Sequence, residues 1–416
     1  MKAVVVALGK MGLPLAVQIA RAGHEVVGCD IDERTVELVN AAQEPFPGEA
    51  RLGEYLAEVV GDGRLRAQTD TSAAVAEGPD LVVAVPPLYV DTNARPDWGA
   101  LDAATTAIGR GLQRGTTVVL ETTVPVGTTR GRMTEILERE SGLTEGTDFH
   151  AAFSPERVFS GRVFKDLGTY PKLVGGLDAE GEERAALLYE QFITEAPVWR
   201  MAGAEAAELT KLAETTYRDL NIAYANELAR VADANGLDVE RVIDAANSQP
   251  FSHIHRPGVA VGGHCIPVYP RFFLEGAPDA TLPAAARAVN EAMPAYAVDL
   301  LGDVAGKRVL ILGVAYRGGV KEDAFSGALA LRDVLRDRGA TPVAADPLYS
   351  DDELRADGYE PWDGAPVDAA VVQTDHSEYR SLSSADVPGA TTIVDGRGVL
   401  DAARFDGVAI RRIGRP

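Results

Sequence analysis

Lys2-Ala3-Val4-Val5-Val6-Ala7-Leu8-Gly9-Lys10-Met11-Gly12-Leu13-Pro14 opens the chain, and Asp30 follows Gly12 by 18 residues. Residues 2–7 form an apolar run without helical period, followed by glycines, which predicts a buried strand. From Leu13 to Arg21 the spacing becomes helical. Glu25 to Cys29 reads as a second strand ending at Asp30. A strand, a glycine turn, a helix and an acid at the end of the next strand make a dinucleotide-binding pattern. Ala7 stands where the first fingerprint glycine would be, while Gly9 and Gly12 remain, flanking Lys10 and Met11. A carboxylate at Asp30 suits a ribose hydroxyl and would repel a 2′-phosphate, so NAD is expected over NADP.

Working outward, Asp80 to Val85 and Thr117 to Leu120 are further buried-strand candidates, the first closed by Pro86-Pro87. Apolar runs separated by helices predict a parallel sheet covered on both faces. Ala204 to Ala234 lacks proline and interior glycine and is rich in Ala, Leu and Glu, so one long helix is expected, ended near Asn235-Gly236. Asp238 to Asn247 reads as another helix. A second β-α-β region starts at Lys307, with strands at 308–313, 341–345, 369–373 and 392–394 and a helix at 327–338. The fold expected is α/β: two Rossmann-like, doubly wound parallel-sheet domains joined by a central helical region. The boundaries read are 1–198 for the NAD-binding domain, 199–296 for a helical region suited to dimerisation, and 297–416 for a C-terminal α/β domain.

The length of 416 residues fits two or three domains. Forty Lys plus Arg stand against 62 Asp plus Glu, a formal charge of −22, which argues against a nucleic acid or an anionic membrane as partner. A diphosphate ligand stays compatible, because local cations and helix N-termini act inside a screening length of about 8 Å. No apolar run is long enough for a transmembrane helix. The apolar start ends too soon for a signal peptide. Two cysteines cannot frame a disulfide scaffold, so a reducing cytoplasm is the expectation. No metal site is expected.

One of those cysteines sits in Gly262-Gly263-His264-Cys265-Ile266-Pro267. Two glycines allow a backbone to approach something closely, and a thiol follows directly. In a chain with a dinucleotide pattern this points to covalent catalysis on an oxidised carbon. The alternative for Cys265 is a small buried hydrophobe, the usual state of a free cysteine.

Together these stretches resemble the UDP-glucose/GDP-mannose dehydrogenase family, over nearly the whole chain. The resemblance is carried by the opening fingerprint, by 83–87 (VAVPP) with Arg95-Pro96-Asp97, by 121–129 (ETTVPVGTT) and by 154–158 (SPERV). It continues through Lys211, Gly262-Gly263-His264-Cys265, 313–317 (GVAYR), Thr374-Asp375-His376 and Asp395-Gly396-Arg397. The wording of 154–158 and 264–268 is nearer the branch acting on UDP-N-acetylhexosamines, such as the UDP-N-acetylmannosamine dehydrogenases, than the UDP-glucose branch.

The resemblance implies a homodimer that oxidises the C6 alcohol of a UDP-sugar to a carboxylate, consuming two NAD and one water. It implies Cys265 as nucleophile, Lys211 beside the developing alkoxide, Glu156 orienting water, and Thr122 bonding a catalytic water. Pro86 and Thr123 join Gly9, Lys10, Met11, Gly12 and Asp30 on the cofactor. Arg157, Gly262, Tyr269, Tyr316, Arg317 and Arg397 fall to the nucleotide sugar, Arg397 across the dimer. Each has a plainer reading. Lys211, with Glu208 and Glu214 nearby, is also what a solvated helix face looks like, and Glu156 is also an ordinary loop carboxylate. His264 is not assigned as a base. The family pattern breaks at four places: Ala7, Thr215 for an asparagine, Tyr269 for an aspartate, and Ala324 for an arginine. Alternatives therefore stay open: an enzyme that stops after one hydride, one acting on an unusual sugar, or a nucleotide-sugar-binding protein without turnover.

Overall fold

The computed structural model describes residues 1–91, 94–159 and 161–415. It divides into two compact units, Met1–Glu214 and Thr215–Pro416. Each has its own sheet.

The first unit holds strands β1 (Lys2–Val6), β2 (Glu25–Cys29), β3 (Leu65–Gln68), β4 (Leu81–Ala84), a two-stranded hairpin of β5 (Tyr89–Val90) and β6 (Pro96–Asp97), then β7 (Thr117–Leu120), β8 (His150–Phe153), β9 (Lys172–Gly176) and β10 (Val198–Arg200). Without the hairpin these form one sheet in the order β10-β9-β8-β7-β4-β1-β2-β3. From β3 to β8 every pairing is parallel. The chain reverses between β8 and β9, which pair antiparallel through Ala152 with Gly176 and Phe153 with Gly175. The parallel sheet expected from sequence thus carries an antiparallel junction near one edge. The apolar runs β1, β4 and β7 are buried on both faces, apart from exposed Lys2. That is why they lack the alternation of a half-solvated strand. Helix Gly12–Arg21 packs Leu13, Leu15, Ala16, Val17, Ile19 and Ala20 fully inside. Each large side chain there contributes about 1.5–3 kcal/mol of burial. The strand order changes direction between β1 and β4, where doubly wound sheets bind ligands at the carboxyl ends of their strands.

Helix Ala204–Asn235 has 32 residues, about 48 Å at 1.5 Å per residue. It ends as its sequence predicts. Gly236 adopts φ +65°, its amide donates to Asp233 O, and Leu237 N donates to Ala232 O. This paired bonding closes the last carbonyls, and glycine is the residue that takes that conformation without strain. Helix Val239–Asn247 follows, capped by the Asp238 carboxylate on Glu240 N.

The second unit carries β11 (Arg308–Leu312), β12 (Thr341–Ala345), β13 (Ala369–Val372), β14 (Thr392–Asp395) and β15 (Ala409–Arg412), in the order β12-β11-β13-β14-β15. All its pairs are parallel. Val309 and Ile311 enter one core with Leu331 and Val371, while Leu310 and Leu312 enter another with Val372 and Ile393. Both faces are buried, as the unbroken apolar runs required. Among the described residues no helix is long and apolar enough to cross a membrane.

Candidate active site

The glycine turn after β1 has the geometry of a phosphate cradle. A Cβ on Gly12 would lie 2.0 Å from Ala7 O, so only glycine fits where the helix meets the turn. Gly9 has nothing within 4 Å of such a position, leaving open space over the turn. Helix Gly12–Arg21 begins without a side-chain cap. Its first amides and its dipole therefore favour an anion. Ala7 sits at φ +75°, a left-handed conformation that costs a non-glycine residue about 1–2 kcal/mol. Its amide donates to Cys29 O at 2.8 Å, which holds the turn against β2. Asp30 braces the same turn: Oδ2 accepts from Leu8 N at 2.7 Å and Oδ1 from Asp32 N at 3.0 Å. Each carboxylate oxygen has a second lone pair, so a ribose hydroxyl can still be bound. Lys10 and Gly9 are exposed and Met11 half-buried. Thr122 Oγ1 donates to Pro86 O, tying the ends of β7 and β4 together, and Thr123 beside it is buried. The proton of Thr122 is thereby engaged inside the protein, which leaves the lone pairs of its oxygen as acceptors. These residues fit a dinucleotide. Gly12→Ala should displace the Ala7 carbonyl and weaken NAD about tenfold or more in a fluorescence titration, given the 1–3 kcal/mol cost of overpacking.

A second group surrounds Glu156, which follows β8. Its Oε1 accepts from Arg157 N at 2.6 Å and Val158 N at 3.0 Å, and its Oε2 lies 3.3 Å from Lys172 Nζ. Its main-chain carbonyl accepts from Lys211 Nζ at 2.5 Å. Lys211 is only 9% exposed, so the solvated helix face is ruled out for it. Glu208 is fully buried and accepts from Gly127 N and from the amide and hydroxyl of Thr129. Glu214 pairs with Arg157, whose Nη1 also donates to Pro171 O at 3.2 Å.

Sequence reasoning missed the floor of this group. Lys172, at the head of β9, is 5% exposed and lies 2.9 Å from Glu121 Oε1 at the end of β7. Tyr189, fully buried at the end of helix Ala179–Tyr189, donates its hydroxyl to the same carboxylate. Burial pushes the Glu121 carboxyl up, and Lys172 opposes it. Burial also works against charge on Lys172, but the two carboxylates outweigh it and raise its pKa. A lysine heading an apolar run reads as a solvated strand end. No sequence signal marks it as buried, because both carboxylates reach it from distant segments.

In the second unit Cys265 is exposed and is the first residue of helix Cys265–Gly276, which has no side-chain cap. The hydrophobe reading of this thiol is overturned. Cys29 fits it instead: fully buried, with burial pushing its thiol up to about 12. What the glycine pair approaches is Tyr316. A Cβ on Gly262 would lie 2.8 Å from Tyr316 Cβ, and one on Gly263, at φ +84°, 3.0 Å from its ring. Tyr269 is one helical turn from Cys265 and so shares its face. Its ring packs edge-on to His264 at 5.9 Å. Burial holds His264 below the ordinary histidine range, consistent with a packing role.

The carboxyl ends of β11, β13 and β14 bring Tyr316, Arg317 and Arg397 onto neighbouring loops. Arg317 is exposed and donates to Tyr316 Oη at 2.9 Å. Arg397 Nε donates to Gln373 O at 2.7 Å and Nη2 to Tyr316 O at 3.2 Å, so much of its fork braces these loops. A buried pair, also unread from sequence, organises them. Asp346 Oδ2 accepts from Val314 N and Ala315 N and lies 3.0 Å from His376 Nε2, while His376 Nδ1 accepts from Gly319 N.

Three family models match the chain: the NAD binding domain of the UDP-glucose/GDP-mannose dehydrogenase family over residues 1–193, its central domain over 205–293, and its UDP binding domain over 310–402. The UDP-N-acetyl-D-mannosamine dehydrogenase of Pyrococcus horikoshii is 34% identical over 100% of this chain and 99% of its own length. Its solved structure superposes with a TM-score of 0.89 at 32% identity, covering 100% of this chain and 99% of that one. An NDP-N-acetyl-D-galactosaminuronic acid dehydrogenase from Methanosarcina mazei Go1 gives a TM-score of 0.87 at 31% identity, covering 100% and 95%. With the cradle at Gly9 to Asp30 and the exposed thiol at Cys265 in place, the chain belongs to the UDP-glucose/GDP-mannose dehydrogenase family and is an NAD-dependent nucleotide-sugar dehydrogenase.

Proposed function

We propose that the protein oxidises the C6 alcohol of a UDP-sugar, of the UDP-N-acetylhexosamine type, to the uronate in two oxidations through a covalent bond to Cys265. The observation that carries this is an exposed thiol at the first position of helix Cys265–Gly276, where a substrate carbon can reach the sulfur. The names of the relatives support the sugar class. NAD, when bound, accepts one hydride from the sugar carbon at each oxidation. Gly9, Lys10, Met11, Gly12, Asp30, Pro86 and Thr123 hold it.

In the first oxidation the C6 hydroxyl loses its proton, and Lys211 stabilises the charge developing on oxygen. The Cys265 sulfur then adds to the aldehyde carbon, forming a thiohemiacetal that prevents escape of a reactive intermediate. Loss of the second hydride leaves a thioester. Glu156 orients a water and takes its proton, with Thr122 accepting a hydrogen bond from that water. The C–S bond breaks, and the carboxylate leaves with the thiolate restored. Tyr269 occupies the family's aspartate position and donates at neutral pH, so proton removal falls to Glu156. Tyr316, Arg317, Arg397, Arg157, Gly262 and Tyr269 bind the nucleotide sugar, the exposed Arg317 through a fork matched to phosphate.

In this reading residues 1–198 bind NAD, 199–296 form the helical dimerisation region that carries Cys265, and 297–416 bind the nucleotide sugar. Self-association as a homodimer is supported by Tyr217, Tyr224 and Val231, which are more than half exposed at seven-residue intervals on one helix. A cytoplasmic location, with no nucleic acid or membrane partner, completes the reading.

The test is a panel of UDP-, GDP- and dTDP-sugars assayed for NAD reduction, with product mass measured. Two NADH per sugar with a uronate product are expected. One NADH with an aldehyde product would confine the enzyme to the first oxidation, and tight binding without NADH would remove catalysis.

A further inference from the structure

We propose that Lys172 and Glu121 are a positioning pair that sets the charge around Glu156 during release of the acid product. This rests on the reading of Glu156 as the residue that orients water. Glu156 Oε2 and Glu121 Oε1 lie 3.3 and 2.9 Å from the same ammonium. The groups facing this core come from five segments: Glu121 at the end of β7, Glu156 and Arg157 after β8, Lys172 on β9, Tyr189 on helix Ala179–Tyr189, and Lys211 and Glu214 on helix Ala204–Asn235.

The arrangement has a specific electrostatic logic. Lys172 is shared, so neither carboxylate has it alone. Its attraction orients Oε2 of Glu156, while the amides of Arg157 and Val158 hold Oε1. Glu121 offsets part of the ammonium's charge, so the Glu156 carboxylate is not locked against taking a proton from water. When it takes one, Lys172 and Glu121 remain behind as a neutral buried pair, and no isolated buried charge appears. Tyr189 holds Glu121 in place and gives that carboxylate a second donor.

Removing the cation and removing its counter-charge should therefore act in opposite directions. Without the cation, protonation near Glu156 becomes easier, and the acid limb of the rate profile moves to higher pH. Without the Glu121 charge, Lys172 faces Glu156 uncompensated, and the limb moves to lower pH. A purely structural role predicts no such opposition.

The experiment uses the full enzyme with NAD and the sugar that the panel identifies. The pH profile of acid formation is measured alongside the covalent adduct on Cys265, trapped by acid quench and read by intact-protein mass spectrometry. Lys172→Met should move the acid limb up by about one pH unit and let adduct accumulate. Glu121→Gln, close to isosteric, should move the limb down, and Lys172→Arg should restore the wild-type profile. Melting temperature and NAD affinity report folding. If Lys172→Met does not fold, Glu121→Gln alone decides by its direction. Shifts in the same direction, or no shift, overturn the proposal when Glu156→Gln slows hydrolysis about a hundredfold or more. If Glu156→Gln hydrolyses at the wild-type rate, the parent reading falls and this inference with it.

Discussion

Cys265→Ser is expected to form no acid product at a useful rate, with a loss on the order of a thousandfold or more. A serine hydroxyl in the same place is a far weaker nucleophile than a thiol, and the neighbouring His264 packs against the rings of Tyr269 and Phe325, with burial lowering its pKa. The first hydride transfer does not need the sulfur. The variant should therefore release at most one NADH per sugar, and NAD affinity should be unchanged. Because the side chain is exposed, stability should stay within about 0.5 kcal/mol of wild type, so lost turnover cannot be ascribed to unfolding. Rapid-quench measurement of product mass and of NADH per sugar checks all three points. Acid formed at the wild-type rate would end the covalent mechanism.

Asp219→Ala is expected to destabilise the second unit by about 3–5 kcal/mol. Arg287 donates Nε and Nη2 to the two carboxylate oxygens of Asp219 at 2.8 and 2.6 Å, and both residues are buried. Asn290 also donates to that carboxylate at 2.7 Å, and its side-chain oxygen accepts from Asn226 at 2.9 Å. Removing the carboxylate leaves a buried guanidinium with only the half-exposed Glu291, 3.9 Å away, as counter-charge, which costs more than the pair ever contributed. At a few degrees per kcal/mol for a unit of this size, the melting transition should fall by about 10 °C. The double variant Asp219→Leu with Arg287→Met should recover much of that loss, because a neutral packed pair carries no stranded charge. A double variant as unstable as the single one would show that the network acts by shape and not by charge. Function should suffer too. Arg287 Nη1 donates to Pro267 O in the first turn of the Cys265 helix, so loosening the network frees the element that carries the thiol.

Much of the architecture was legible because it follows from local rules. Buried parallel strands must be continuously apolar, and β1, β2, β4, β7, β11 and β12 announce themselves that way. A chain leaving a helix at positive φ calls for glycine, so Gly236 marked its end to within a residue. The Gly12 contact is likewise set by backbone geometry over five residues. β8, β9 and β10 escaped: they carry a histidine, a lysine and an arginine, and depend on distant neighbours to become strands. The reversal at β9 has no local signature.

The candidate site divides the same way. Fingerprint glycines, Asp30 and Cys265 stand out by type and spacing. Lys211 was ambiguous, because a helix surface and a buried helix face share the same letters when a charged residue is matched by partners elsewhere. The structure decided it through Glu156 O, 55 residues away.

Sequence by itself determined that two nucleotide-type sheets flank a helical stretch with one conspicuous thiol, because strand burial, helix ends and glycine turns are properties of neighbouring residues. Only the tertiary structure decided which charges are buried together: Lys172 with Glu121 and Glu156, Asp219 with Arg287, Asp346 with His376. The energy of a charge depends on the dielectric around it and on its counter-charges, and those come from segments that meet only when the chain has folded.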